Sequence, residues 1–150
     1  MSAARFLIDK LNNSKPGLNI KLNPPAPFSE ILRLEKLLKM ELPSDFKEFY
    51  ALANGFETDD HIFRIIPVAE IIDYQSELAP NEIYLAEYMI YSDTWNIVID
   101  PDSGSYDIVN KNGAGNLITI TNSIFEFIEK YLESDGIFSD SGLYSWIDNQ

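Results

Sequence analysis

Leu42-Pro43-Ser44-Asp45-Phe46-Lys47-Glu48-Phe49-Tyr50-Ala51-Leu52-Ala53-Asn54-Gly55 is the stretch whose reading decides the fold. Pro43 can serve as the first residue of a helix, where its missing N–H costs nothing. Asp45 and Glu48 favour that helix's positive N-terminal end. Phe46, Phe49, Tyr50 and Ala53 recur at helical spacing as one apolar stripe, and Asn54-Gly55 supplies a left-handed stop. Just upstream, Ser29 stands where an N-cap should. Ile31, Leu34, Leu37 and Leu38 follow as a second stripe, with Glu30, Arg33, Glu35, Lys36 and Lys39 left to face water. The reading is a tight helix–turn–helix pair.

Working outward, the Asn12–Pro27 stretch contains Pro16, Gly17, Pro24, Pro25 and Pro27 and reads as an extended connector. Met1–Asn13 before it reads as a short helix carrying Phe6, Leu7 and Leu11. Beyond Gly55 the period changes to two. Ile62–Ile66, Ile83–Tyr91, Trp95–Asp100, Tyr106–Asn110 and Leu117–Ile120 are rich in β-branched and aromatic residues. Pro67–Leu78 between the first two is more helical, with Ile71, Gln75 and Leu78 on one side. Short turns at Asp100–Gly104 and Lys111–Gly115 make antiparallel pairing the simplest arrangement. Ser123-Ile124-Phe125-Glu126 is a capping box opening a last helix that carries Phe127, Ile128, Tyr131 and Leu132. Gly142–Ile147, with Tyr144 and Trp146, is expected to pack back onto the domain. The sum is a single α+β domain over residues 1–150: an antiparallel sheet of about five strands flanked by helices.

Charge narrows the functional classes. The 150 residues carry 24 Asp and Glu against 11 Lys and Arg, a net −13. Residues 1–47 balance at +3 and residues 111–150 at −4, whereas residues 48–110 reach −12 with Arg64 as their one cation. No Lys or Arg occurs from Ile65 to Asn110. Direct binding of nucleic acid, which needs concentrated Lys and Arg, is excluded on this balance. So is attraction to an anionic membrane surface. No apolar run approaches the ~18 residues that span a bilayer, and the start of the chain does not resemble a secretory signal, so a cytoplasmic location is expected. Nine Phe, eight Tyr and two Trp supply core material that a disordered acidic chain would lack.

Catalytic chemistry finds little footing. Without cysteine there is no disulfide framework or thiolate zinc site. His61 is the only histidine and reads as a loop residue. Asp100-Pro101-Asp102-Ser103-Gly104 lacks the ligand spacing of a calcium loop and is better explained as a hairpin turn. Neither a Gly-x-Ser-x-Gly elbow nor a glycine-rich phosphate loop is present. The expectation is a non-enzymatic protein with no catalytic residues, no metal and no cofactor.

What remains is surface. Glu57, Asp59, Asp60, Tyr91, Asp93 and Trp95 are the candidate partner-binding residues: carboxylates interleaved with side chains that join apolar area to a polar tip. Tyr84 and Tyr88 extend the aromatic set. A long single-sign segment steers a basic partner and raises its association rate.

The residues from Phe28 to Phe56 also carry a family pattern. Ile31-x-x-Leu34-Glu35-x-x-Leu38, Leu42-Pro43-x-Asp45-Phe46-Lys47-x-Phe49-Tyr50 and Asn54-Gly55 resemble the SUKH superfamily, which groups the fungal cell-wall glucan-synthesis regulators with many bacterial proteins. Ile66-Pro67-Val68-x-Glu70-Ile71, Ile97-Val98-Ile99-Asp100 and Ser123–Phe127 continue the likeness to about residue 132. Typical members carry glycine in the loop before the Ile97 strand, where this chain has Ser92-Asp93-Thr94-Trp95. The resemblance implies an α+β fold of antiparallel strands flanked by helices, and no catalytic residues. For bacterial members it implies immunity proteins that bind and neutralise toxins, often nucleases. For the fungal branch it implies a regulatory or scaffold role in glucan synthesis. The two expectations are therefore an acidic inhibitor of a basic toxin domain or, alternatively, a cell-wall regulator with no toxin partner.

Overall fold

The computed structural model describes residues 3–12, 20–58, 63–111 and 117–133. Within these, α1 (Ala3–Asn12), β1 (Ile20–Leu22), α2 (Phe28–Leu38), α3 (Ser44–Tyr50), β2 (Phe56–Thr58) and β3 (Phe63–Ile65) lead into α4 (Val68–Tyr74). A short 3-10 turn at Gln75–Glu77 extends α4, and β4 (Glu82–Tyr88), β5 (Asp93–Ile99), β6 (Tyr106–Lys111), β7 (Leu117–Thr121) and α5 (Ile124–Glu133) complete the order. The seven strands form one antiparallel sheet in chain order, each hydrogen-bonded to the next. The α+β expectation holds, but the sheet has seven strands, not about five. The two extra strands are three residues each, too short for alternation to register. Ile20–Leu22, inside the expected connector, becomes a strand only by pairing with Phe56–Thr58.

Pleating divides the sheet into two faces. Phe56, Ile65, Ala86 and Trp95 lie in register on the inner face, where helices cover them. There Phe127 of α5 meets the Trp95 ring, and Tyr131 stacks on Phe56 and Phe63. α1 packs with α3 and α5, while α2 packs with α4. Phe46, Phe49 and Tyr50 of α3 are fully buried, and the Tyr50 hydroxyl donates to the Ile66 carbonyl at 2.7 Å. Burial pushes the Tyr50 pKa upward, so the hydroxyl stays a donor.

The corner between α3 and β2 departs in detail from the sequence reading. Pro43 sits at the N-cap and not at the first helical position, and α3 ends at Tyr50 with right-handed Ala51 as its cap. Gly55, at φ +77°, comes later and opens β2. A Cβ there would stand 2.2 Å from the Ile65 carbonyl oxygen, so the glycine serves close strand approach as much as turning. Asn54 holds the corner together. Its N–H donates to the Pro24 carbonyl, its carbonyl accepts from the Asn23 amide, and its Oδ1 accepts the Val68 N–H at the start of α4.

Four further expectations move. α2 starts at Phe28 behind Pro27, so Ser29 is not its cap. Leu37 lies near half exposed and off the buried stripe of Ile31, Leu34 and Leu38, because α4 covers only part of that helix. In α1 it is Leu7 and Ile8 that are buried, while Phe6 is exposed beneath the Lys10 ammonium. The capping box forms by half: Ser123 Oγ accepts the Glu126 N–H, but the Glu126 carboxylate accepts from the Thr121 hydroxyl. The Lys111–Gly115 turn lies only partly within the described residues, and the Gly142–Ile147 segment lies outside them.

Candidate protein-binding surface

The outer face of the sheet carries the charge. Lys21, Glu57, Arg64, Glu87, Thr94 and Lys111 stand in register across β1 to β6, signs alternating over the first four strands. The only cation of the acidic middle segment is thus placed between its two cross-strand carboxylates. Arg64 Nε donates to Glu87 at 2.9 Å, and its two terminal nitrogens donate to both oxygens of Glu70 on α4. Burial opposes the Arg64 charge, but hydrogen bonds and attraction from Glu70 and Glu87 outweigh it, and its pKa is raised. Glu70 is the mirror case. Burial would raise its pKa, yet the bonds from Arg64 and Tyr91 hold it below the usual carboxylate value.

A second group lies further along the same face. Lys111 Nζ and the Asn96 amide both donate to Glu82 Oε2, each at 2.7 Å. Glu82 and Glu87 are buried, so these acids of the middle segment are spent internally. Glu48, Asp73, Glu77, Asp100, Asp102 and Asp107 remain exposed. Tyrosines cover the ground between the two groups. The Tyr91 ring meets Tyr74 and Tyr84 edge-on at 5.6 and 5.2 Å, and lies 6.0 Å from the Arg64 guanidinium. Its hydroxyl donates to Glu70. Burial first, and the Glu70 carboxylate second, raise the Tyr91 pKa; burial and Glu77 push Tyr84 up to about 12.

The six candidate residues are therefore not one cluster. Glu57 sits half-buried on the outer face between Lys21 and Arg64. Tyr91 reaches that face from the β4–β5 turn. Asp93, half-buried opposite Tyr88 at the start of β5, alternates with Thr94 and so belongs to the other face. Trp95 must be withdrawn from the surface: it is 0% exposed, wedged between Phe63 and Phe127, because its strand position puts it over the helices. Asp59 and Asp60 lie outside the described residues, as does His61. Sequence reasoning missed Arg64, Glu70 and Glu87 as a unit, since they come from three elements. It also missed a basic cleft of about 370 Å³ between α2 and α4, lined by Arg33, Lys36, Leu37 and Ile72.

No group of three or more His, Cys, Asp or Glu side chains among the described residues is arranged to hold a metal ion. No helix among them is long and apolar enough to cross a membrane. The fold is an α+β sheet with a charged, tyrosine-rich outer face, and the family it belongs to fits a binding or regulatory role. The chain belongs to the SMI1 / KNR4 family (SUKH-1), whose family model matches residues 25–135. No curated protein matches the chain.

Proposed function

We propose that this protein is a non-enzymatic inhibitor that binds a basic toxin domain, such as a nuclease, through the acidic outer side of its sheet. The observation that carries this reading is the −12 balance of residues 48–110, with Arg64 as their only cation and with Glu48, Asp73, Glu77, Asp100, Asp102 and Asp107 exposed. A nuclease must be positive where it grips phosphate, so an inhibitor of it presents carboxylates. Family membership supports a binding role and is compatible with this one.

The test uses the toxic C-terminal domain of the large secreted protein expected from the gene beside this one. The purified domain should bind, and the association rate should fall steeply between about 50 and 300 mM salt as the Debye length shortens. Co-expression should abolish its toxicity. A neighbouring gene with no such product, together with altered wall glucan on deletion, would favour the cell-wall regulator instead.

A further inference from the structure

The β4–β5 turn is built against local preference. Tyr88 and Asp93 close the hairpin, and between them Met89, Ile90 and Tyr91 all adopt left-handed backbone, at φ 54°, 52° and 63°. The Ser92 N–H and hydroxyl both donate to the Met89 carbonyl, at 3.2 and 2.7 Å, and hold the bend. Left-handed backbone disfavours any residue with a Cβ, and a β-branched one most of all. Glycine or asparagine would turn here without strain, as Gly104 at φ +76° does in the next hairpin.

Packing does not repay the strain at the tip itself. Ile90 is 88% exposed and Met89 54% exposed. Beyond the Ser92 bonds, repayment comes from Tyr91, which is half-buried, bonded to Glu70 and set against Tyr74 and Tyr84. Tyr91 acts as a guy-rope: by tying the turn to the acidic face, it holds two apolar side chains out in water. A lone exposed apolar residue is ordinary, but a strained and anchored pair is not, and strain of this kind marks functional sites.

We propose that Met89-Ile90 is a preformed apolar anchor that enters an apolar socket, ringed by basic side chains, on a protein partner. This deepens the reading of the outer face as a binding surface and rests on it. Charge complementarity picks the partner: Glu70 and Glu87 are neutralised by Arg64, but exposed Asp73 adjoins Tyr74 in the chain and exposed Glu77 accepts from Tyr84, the two rings that flank Tyr91. Apolar anchors set the lifetime of a complex, while rim charges set the rate of encounter. A preformed turn also spares the ordering cost on binding.

The experiment compares wild type with Ile90→Asn and Ile90→Leu, using the basic toxic domain named above as the probe. Asn tolerates left-handed backbone, so Ile90→Asn should melt about 2–4 °C higher than wild type. Its complex should nevertheless dissociate roughly tenfold faster or more, with association rate and salt slope unchanged. Ile90→Leu should keep the slow dissociation. Should Ile90→Asn melt lower, or release the probe no faster than a wild type that binds it, the anchor is overturned while the acidic-face reading stands. If wild type does not bind the probe at any salt, the functional reading fails and the anchor falls with it.

Discussion

The Leu42–Gly55 corner and the outer face from Glu57 to Tyr91 are neighbours built on opposite principles. The corner has a local core: the burial of Phe46, Phe49 and Tyr50 on α3 follows from helical spacing, and Asn54-Gly55 next in the chain fastens it to Pro24, Val68 and Ile65. The outer face is distributed. Arg64 from β3, Glu70 from α4, Glu87 from β4 and Tyr91 from a turn meet only once the sheet has formed. The corner is specified by shape and tolerates no cavity, whereas the outer face is specified by charge balance and tolerates changes at its rim. A local device should fail through packing alone, and a distributed one through whichever partner is left uncompensated.

That contrast orders the expected effects. Phe49→Ala should be the most damaging, at roughly 3–5 kcal/mol, because the emptied site is fully buried. Chemical denaturation would read it, and a loss near zero would mean the corner is not the packed unit described. Arg64→Met should follow at about 2–4 kcal/mol near neutral pH, since Glu70 and Glu87 would be left half-buried and buried without their cation. Its pH dependence has a definite sign. Glu70 has a folded pKa below its ordinary 4.5, so its contribution is complete above that value and fades as pH falls through the folded value. The gap between Arg64→Met and wild type should therefore narrow in acid, and a gap that widens there would break the comparison.

Gly55→Val probes the corner again, adding left-handed strain of about 1–2 kcal/mol and a clash with the Ile65 carbonyl. Thermal melting should fall without any change in the association rate of the folded fraction. Tyr91→Phe removes one hydrogen bond to a charged acceptor and should cost about 1–2 kcal/mol, while shifting the Glu70 titration upward. NMR titration of the Glu70 carboxyl checks the second part. The smallest effect belongs to the rim: Asp73→Asn, Asp102→Asn and Asp107→Asn together should stay within about 0.5 kcal/mol each. They should still slow association with a basic partner at low salt. If that triple variant melts early while Gly55→Val does not, scaffold and surface have been exchanged.

Much of the scaffold was legible because it repeats at short range. Apolar residues three and four apart mark α2, α3 and α5, and alternation marks β4 to β7. β1 and β2 were not legible, since three residues have no measurable period and are extended chiefly through each other. Trp95 illustrates a subtler limit. Alternation shows that Trp95 and Asn96 point to opposite faces, but both are buried, so composition could not say which face the helices cover. The same ambiguity let Asp93 and Glu57 be grouped, although pleating separates them.

By itself, the sequence determined the class of fold, the buried stripe of the helix that follows Pro43 and the acid excess of residues 48–110. Each depends on neighbours along the chain or on plain counting. Tertiary structure alone decided which acids face water. Glu87 is neutralised by Arg64 because antiparallel pairing sets β3 and β4 about 5 Å apart, and Glu82 by Lys111 because that long side chain reaches across β5 from β6. It also decided that the β4–β5 turn is tied to the outer face, because the bond from Tyr91 to Glu70 spans elements no local pattern connects.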